Sequence, residues 1–332
     1  MVLTFCPLRD ATVETKGVVI TEFFGFLHLQ PREYSAVNVS VSSFRQKIRT
    51  YLKNADLLSR SLAAHGHQFH LLTNKAELIE RFSPEIARSL SISEIEFTTN
   101  VPSGVRFFSS HYKLDALKHL GNSTAHYVAL IDLDVVCFNE APLALRQAEE
   151  SGQALYYDIT EQVVPSAGEE PLRRQLEEIL GRPVTLAWSG GEFLAGPPKF
   201  FEALTEAVES IFERYLDVSV GRYRVGNEPY QNAEIEILRE KGWDIRDAGE
   251  MRIVGRYWNM PVKHAQPPFS AFDDIFLLHL PVDKHVLSLI HALNPSQASS
   301  FLSLYRSLKW LWLPLEVFQR LRGKVGAISI RR

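Results

Sequence analysis

Two aspartates, Asp132 and Asp134, close the apolar part of the segment YVALIDLDVVCF, which runs from 127 to 138. A segment this apolar predicts a strand that is buried on both faces in the centre of a sheet. Because strand side chains alternate, both carboxylates are expected on one side, at the end where open α/β sheets bind ligands. Burying two anions is prohibitive without a compensating cation. A divalent metal that also holds phosphates is the usual compensation, so the pair is a candidate metal and diphosphate site.

Two other interpretations of these aspartates are open. In a structural interpretation, one aspartate caps the next helix and the other pairs with a buried arginine; the position at the end of YVALIDLD favours a ligand site instead. In the other, the first aspartate is the nucleophile of a haloacid-dehalogenase-like phosphatase. Such enzymes carry D-x-D near the start of their domain, before a small hydroxyl residue. Here about 130 residues precede the pair and Val135-Val136 follows it, which argues against a phosphatase.

The elements that must position the pair are predicted by apolar runs that alternate with amphipathic segments, a pattern typical of an α/β domain with a mostly parallel sheet. Strands are predicted at 17–24, 68–72, 94–97, 127–138, 154–159 and 276–281, with a glycine-rich strand or turn at 188–196. Helices are predicted at 43–65, 77–90, 110–120, 169–180, 198–216 and 229–241.

Composition excludes several classes of function. A net charge of −3 gives no electrostatic reason to expect nucleic acid as a partner. Cys6 and Cys137 are too few for a disulfide framework or a zinc cluster, and Cys137 is expected to be a buried thiol. Residues 1–10 lack the features of a signal peptide, and no run of eighteen apolar residues occurs. A cytoplasmic protein is expected.

Six segments, in order, resemble GT-A glycosyltransferases, most closely the family 8 type and its bacterial relatives. They are GVVITEFF, YLKNADLLSRSLAAHGHQFHLLTN, SSHYKLDALKHL ahead of YVALIDLDVVCF, WSGGEFLAG, GNEPYQNAEIEIL and LLHLP, and together they span roughly 17–281. Two motifs depart from that family. Its acidic-glutamine signature is replaced by NEPYQN at 227–232, and the glycine-lysine pattern after the histidine is missing, although Lys284 follows His279 by five residues.

The resemblance implies a Rossmann-like GT-A domain over 1–300, in which helices flank a mostly parallel central sheet. Its nucleotide-binding half is expected at about 17–160 and its acceptor half at about 161–285. A C-terminal helical tail is expected at 301–332.

For the metal, the resemblance implies that Asp134 ligates Mn²⁺ or Mg²⁺, and that Asp132 shares the metal or binds the ribose. His279 is the third ligand by its matching position, with a satisfied core histidine as the alternative. Imidazole ligation favours Mn²⁺.

For the donor, a UDP-sugar is favoured among nucleotide-sugars. The resemblance implies that Thr21 and Phe23, at the end of the first strand, seat the base and ribose, although Phe23 is equally suited to core packing. Arg106 and Lys113 are candidates for neutralising the diphosphate or holding the donor sugar. A solvated face is the alternative for these two cations.

For the acceptor, Gly190 and Gly191 let the backbone approach a ligand beside Glu192, unless they form a plain β-turn. Glu228 opens a helix at the position where GT-A enzymes face the acceptor, with Asn227 expected as its N-cap. In an inverting reaction Glu228 is the first choice of general base and Glu192 the second. The alternative for Glu228 is that it only complements the helix dipole.

The tail at 301–332 is basic and apolar at once. Seven basic residues stand there against the single acid Glu316, among leucines and tryptophans at helical spacing that Pro314 divides into two short helices. The basic residues are Arg306, Lys309, Arg320, Arg322, Lys324, Arg331 and Arg332. Such a segment suits the surface of an anionic membrane, at the inner face, next to a lipid-linked acceptor. The alternative is that it packs on the domain or on a second subunit.

The function predicted from these features is a metal-dependent, hexosyltransferase-like glycosyltransferase. It would move a sugar from a nucleotide-sugar to a hydroxyl of a glycan or lipid-linked acceptor, in bacterial surface polysaccharide synthesis. Two alternatives remain. One is a D-x-D phosphatase or nucleotidyltransferase, and the other is a non-catalytic protein that binds sugar nucleotides.

Overall fold

The computed structural model describes residues 21–30, 43–102, 107–219, 226–258, 264–293 and 301–308. The strands are β1 Glu22–Leu27, β2 Gln68–Thr73, β3 Ser91–Glu94, β4 Val128–Ile131, β5 Val135–Cys137, β6 Ala154–Asp158, β7 Ser189–Gly196, β8 Ile245–Asp247, β9 Val254–Arg256 and β10 Leu277–His279. The helices are α1 Phe44–Ala63, α2 Ala76–Phe82, α3 Pro84–Ser89, α4 Phe108–His111, α5 Lys113–Gly121, α6 Leu143–Ser151, α7 Thr160–Ala167, α8 Glu169–Leu180, α9 Pro198–Glu209, α10 Phe212–Ser219, α11 Asn227–Glu240 and α12 Lys284–Leu293. Residues 301–308 are also helical.

Seven strands form the main sheet in the order β3-β2-β1-β4-β7-β6-β8. Only β7 runs antiparallel to its neighbours in this sheet. A second sheet has the order β5-β10-β9. The predicted α/β class, with a mostly parallel sheet and the apolar segment at its centre, is therefore confirmed.

Helices cover both faces of the main sheet, which explains why β4 is apolar throughout. On β4, Ala129 belongs to one hydrophobic cluster and Leu130 to another, on the opposite face. On β1, Phe23 and Phe24 divide in the same way. Because successive side chains of a strand point to opposite faces, neighbouring residues pack into different hydrophobic clusters, and both faces of these strands are covered by core.

The segment 127–138 is two strands, where a single strand was predicted. The chain leaves β4 after Ile131, turns at residues 132–134, and enters the second sheet as β5. The Asp132 amide donates to the carbonyl of Glu192 on β7, and the Asp134 carbonyl accepts from the amide of Leu280. The two aspartates therefore occupy a turn that connects the two sheets. The directions of their side chains are set by this turn and not by the side-chain alternation expected within a strand.

Other predicted boundaries differ for local reasons. The helix expected at 77–90 divides at Ser83, because Pro84 opens α3 and has no N–H to continue α2. Strand β1 continues to Leu27, past the predicted end at Phe24; residues 17–20 lie outside the described part of the chain. Strand β3 lies at 91–94, where 94–97 was expected. The expected helix at 198–216 is α9 followed by α10.

Residues 301–308 pack on the domain. Phe301 and Tyr305 are buried in the cluster that covers the second sheet, and the Tyr305 hydroxyl donates to Asp283. The Arg306 guanidinium lies 5.2 Å from the centre of the Phe269 ring. The beginning of the predicted tail therefore belongs to the core, while 309–332 lies outside the described residues. Cys137 is buried, as expected, and burial raises the pKa of its thiol.

Within the described ranges, every helix is too short or too polar to cross a bilayer.

Candidate metal centre and donor site

Three predicted metal ligands converge at the carboxyl end of β4. One ligand atom each of Asp132, Asp134 and His279 lies within 4.8 Å of the others. His279 Nε2 is 3.2 Å from Asp134 Oδ2 and 3.9 Å from Asp132 Oδ2. The antiparallel pairing of β5 with β10 produces this arrangement, because it places His279 opposite Val135, the residue after the aspartate turn.

The donor set fits a divalent cation. His279 Nε2 is buried and has no hydrogen-bond partner among the described residues, although two carboxylate oxygens are close. A buried imidazole nitrogen left in this state is poised to bind a metal ion shared with the carboxylates. One imidazole and two carboxylates suit Mn²⁺ better than Mg²⁺, which prefers oxygen ligands alone.

Two lysines flank the aspartates. Lys113 Nζ lies 2.9 Å from Asp132 Oδ1 and also donates to the carbonyl of Gly191. Lys284 Nζ donates to Asp134 Oδ2 and, at 2.8 Å, to the carbonyl of Pro281. Both lysine side chains are buried, and the charge of each is balanced by one aspartate. The site therefore combines acidic and basic groups in one small buried volume.

Neighbouring charges shift the pKa values of Asp134 and His279. Burial by itself would raise the pKa of Asp134, but the charges of Lys284 and His279 hold it well below its usual range. Burial by itself would lower the pKa of His279, and the charges of Asp134 and Glu192 raise it to about 9. Electrostatic attraction within the group thus exceeds the cost of removing it from water.

Glu192 lies behind the histidine and only 1% of it is exposed. Its Oε1 is 3.2 Å from His279 Nδ1, without hydrogen-bond alignment, and 3.5 Å from Arg256 Nε. Burial would raise the pKa of Glu192, whereas Arg256 and His279 lower it. A carboxylate in this position orients a metal-binding histidine. The structure therefore encloses Glu192 behind the candidate metal ligands, between His279 and Arg256.

The two glycines before Glu192 make room for the site's own side chains. A β-carbon on Gly190 would overlap the Glu192 carboxylate, and one on Gly191 would overlap the Asn227 amide. The Gly190 carbonyl accepts from Gln231 Nε2 at 2.8 Å. Both glycines lie on strand β7, beside Glu192 and Asn227, and their approach to a bound sugar or acceptor stays a prediction.

Glu228 lies in the first turn of α11, and 26% of its side chain is exposed. Its Oε2 accepts from Trp188 Nε1 at 3.0 Å, and its Oε1 is 3.7 Å from Arg256 Nη1. The helix begins differently from the prediction. Gly226 is the N-cap, with a φ of 129° that favours glycine, and the Asn227 amide donates to Gln231.

Thr21 and Phe23 lie away from the site. Strand β1 pairs in parallel with β4, with Glu22 opposite Val128. The beginning of β1 therefore lies beside the beginning of β4, whereas the aspartates follow the carboxyl end of β4. The Thr21 amide donates to Glu149 Oε1 at 3.1 Å, and Phe23 packs in the core. The error arose because β1 ends at Leu27. Arg106, which was predicted together with Lys113 to contact the diphosphate or the donor sugar, lies outside the described part of the chain.

The carboxyl end of β1 instead presents a pocket that the sequence did not reveal. Its lining includes His28, Leu29, Phe44, Lys47, Tyr51 and Ser109. The His28 ring lies 3.9 Å from the Tyr112 ring, and burial lowers the pKa of His28 to about 4. Burial raises the pKa of Tyr51, and the charges of Asp134 and Asp132 raise it further. Tyr51 therefore lines this pocket within the electrostatic field of both aspartates.

Comparisons with known proteins give structural similarity alone. No protein-family model matches the chain, and no curated protein matches it. A galactosyltransferase, LgtC, in complex with donor and acceptor sugar analogues is 13% identical, with a TM-score of 0.47 over 82% of this chain and 96% of that one. Mouse xyloside xylosyltransferase 1 is 11% identical, with a TM-score of 0.45 over 79% of this chain and 97% of that one. A putative nucleotide-diphospho-sugar transferase from Desulfovibrio desulfuricans G20 is 9% identical, with a TM-score of 0.39 over 68% of this chain and 78% of that one. Likeness of this degree leaves the activity to be argued from the residues of the site.

Proposed function

We propose that this chain is a metal-dependent glycosyltransferase of the GT-A type, which moves a sugar from a nucleotide-sugar to an acceptor hydroxyl. One observation carries the proposal. Asp132, Asp134 and the unsatisfied Nε2 of His279 converge at the carboxyl end of the central strand, with a lysine on each aspartate. Mixed acidic and basic groups of this kind suit a divalent cation together with a diphosphate.

The two lysines are suited to the diphosphate. Lys113 and Lys284 each make two polar contacts among the described residues, and an ammonium group has three donors. Each therefore retains a donor for a phosphate oxygen. The bound cation would supply charge stabilisation for the departing diphosphate. The aspartates and His279 would hold that cation, with Mn²⁺ as the favoured ion.

We infer that the nucleoside binds at the carboxyl end of β1. The cavity there has a volume of about 20 Å³, room for about one water molecule, so the nucleoside would lie over it and not inside it. His28 and Tyr51 are proposed in place of Thr21 and Phe23, because His28 follows the carboxyl end of β1 and Tyr51, on α1, lines the same pocket. A neutral His28, already in contact with the ring of Tyr112, offers an apolar surface for a base. UDP is the nucleotide favoured by the family resemblance of the sequence.

Glu228 is the general base that we assign if the reaction inverts the anomeric carbon. Its carboxylate is partly exposed, whereas Glu192 is enclosed by His279 and Arg256. If the reaction retains configuration, no protein base is required and the leaving phosphate takes the proton. The acceptor is proposed to be a glycan or lipid-linked hydroxyl, with bacterial surface polysaccharide as the product class.

Thermal stability with nucleotide-sugars tests the proposal. UDP-, GDP- and CMP-sugars are added to the full chain with Mn²⁺ or with EDTA. A ligand at a hundred times its dissociation constant stabilises the folded protein by about 2.7 kcal/mol. We expect one nucleotide class to raise the melting temperature by several degrees, and only with Mn²⁺. Stabilisation by none of them, together with hydrolysis of a simple aryl phosphate, would point to the phosphatase instead.

A further inference from the structure

The guanidinium of Arg256 lies between two carboxylates that serve different parts of the site. Arg256 is the partner of His279 in the parallel register of β9 and β10, and 4% of its side chain is exposed. Nε lies 3.5 Å from Glu192 Oε1, and Nη1 lies 3.7 Å from Glu228 Oε1. One buried cation thus contacts both the carboxylate behind the metal ligand and the carboxylate at the start of α11.

Two further contacts hold this side chain, and a third holds its backbone. Gln162 Oε1 accepts from Arg256 Nε at 3.2 Å, and the Arg256 amide donates to the Tyr157 hydroxyl at 3.1 Å. The ring of Trp258 lies 5.6 Å from the guanidinium carbon. The contacts to Gln162 and Trp258 restrict the planar group, so Nε and Nη1 stay beside the two carboxylates, while Nη2 has no hydrogen-bond partner among the described residues.

The contacts form a continuous path across the site. His279 Nδ1 faces Glu192, Glu192 faces Arg256, and Arg256 faces Glu228. Beyond it, Trp188 Nε1 donates to the second oxygen of Glu228. The path therefore begins at a metal ligand and ends at the partly exposed carboxylate that faces the acceptor side.

We propose that Arg256 is a positioning residue that couples the two halves of the site, holding Glu192 against His279 and Glu228 toward the acceptor at the same time. The acceptor half of this inference rests on the proposed function. The metal half concerns the residues of this chain alone, because it predicts how tightly they hold a cation.

Substitution by lysine separates the two halves. A lysine ammonium would end near the present position of Cζ and, without the planar fork, could contact only one of the two carboxylates, of which Glu192 is the nearer and the more deeply buried. A methionine would contact neither carboxylate. Arg252, four residues earlier and paired with the exposed Asp274, provides the matched control.

The experiment compares Arg256→Lys, Arg256→Met and the control Arg252→Lys in the full chain. Mn²⁺ affinity is measured by calorimetry, melting by circular dichroism, and transfer as kcat with separate KM values for donor and acceptor. Arg256→Met is expected to weaken Mn²⁺ binding about tenfold or more, as for loss of an outer-shell partner. Arg256→Lys is expected to stay within about threefold of the wild-type Mn²⁺ affinity, yet to lose about 100-fold in kcat with an unchanged donor KM.

A double-mutant cycle tests the coupling itself. Glu228→Gln should lower kcat strongly in the wild-type background and by less than about threefold in the Arg256→Lys background, because the two changes disable one unit. The proposal would be overturned if the kcat losses of the two single variants multiply in the double variant, or if Arg256→Met binds Mn²⁺ with wild-type affinity.

If Arg256→Met does not fold, the proposal is tested by the Arg256→Lys variant and the double-mutant cycle. If no nucleotide-sugar binds the wild-type protein, the proposed function fails, while the Mn²⁺ affinities still decide the metal half.

Discussion

Two buried glutamates show how differently this fold treats a carboxylate. Glu192 lies between His279 and Arg256, and although burial would raise its pKa, those cations lower it. Glu234, on α11, is also fully buried, and neither of its oxygens has a hydrogen-bond partner among the described residues. Burial raises the pKa of Glu234 well above its usual value.

The difference shows that burial of an acid does not by itself identify a functional site. Where buried cations are arranged around the acid, it keeps its charge and forms part of an electrostatic network; where they are missing, it takes up a proton. The region around the aspartate turn is of the first kind. The core around α11, beyond Glu228, is of the second kind. We therefore expect substitutions in the two regions to affect different measurable properties.

The largest effect is expected from Asp134→Asn. Loss of the charge removes a metal ligand, so transfer should fall by about a thousand-fold, as when a major electrostatic stabiliser of the transition state is lost. Lys284 is then buried without its carboxylate, at a cost of about 3–5 kcal/mol in the free energy of unfolding. Activity assays with circular dichroism separate the two effects.

Asp132→Asn provides a companion to this variant, because that side chain is 34% exposed and its loss costs less stability. Asp244→Asn, an exposed aspartate paired with Arg246, is the control. Near-normal turnover of either site variant in Mn²⁺ would remove the aspartates from the metal site.

Glu192→Gln should weaken Mn²⁺ binding by about 10- to 100-fold, because His279 loses the carboxylate that orients it. Glu234→Gln is the matched change in the other region and should leave Mn²⁺ affinity unchanged. Calorimetry on both variants measures the contrast. Equal affinities would show that the charge of Glu192 is irrelevant to the metal.

Glu234→Gln should instead change how stability depends on pH. The folded protein keeps the Glu234 proton while the unfolded chain releases it above its ordinary pKa, so wild-type stability falls as pH rises above about 4.5, by up to about 1.4 kcal/mol per unit. The variant lacks this titration. It should match the wild type near pH 4 and exceed it at pH 7.5 in denaturant unfolding. Glu240→Gln, exposed at the end of the same helix, is the control, and parallel pH profiles for all three proteins would contradict the assignment.

The smallest effect concerns residues 309–332, which retain six of the seven basic residues of the tail. The intact protein is expected to pellet weakly with anionic liposomes, less so in salt, and truncation after Leu308 should abolish this while donor hydrolysis continues. Truncation after Ser300 also removes Phe301 and Tyr305 from the core and should cost several kcal/mol of stability. Equal pelleting of the intact and 308-residue proteins would end the membrane interpretation.

Local patterns were sufficient for most strands of the main sheet, but not for the three-residue β8 or for connections that depend on distant partners. The apolar run at 127–138 showed a central strand, yet its division follows from pairing between β5 and β10, about 140 residues apart. Similarly, Gly25 is typical of a strand end, whereas β1 continues through it. The structure uses this glycine to admit the side chain of Leu133, from the aspartate turn.

The site was predicted where its residues share a motif or a matching position. Asp132, Asp134 and His279 come together as the family resemblance implied. Arg256 was not predicted, because β9 is only three residues long and has no periodicity that could show which way its side chains face. His28 was not predicted because it follows the true end of β1 at Leu27, whereas the strand was predicted to end at Phe24.

Anomalous scattering from a crystal grown with Mn²⁺ and a nucleoside diphosphate tests the central claim most directly. One manganese peak is expected about 2 Å from carboxylate oxygens of Asp132 and Asp134 and from His279 Nε2, with the diphosphate on its open side beside Lys113 and Lys284. The nucleoside should extend toward His28. A nucleoside diphosphate bound elsewhere, with His279 Nε2 facing protein groups and no manganese beside it, would contradict the account.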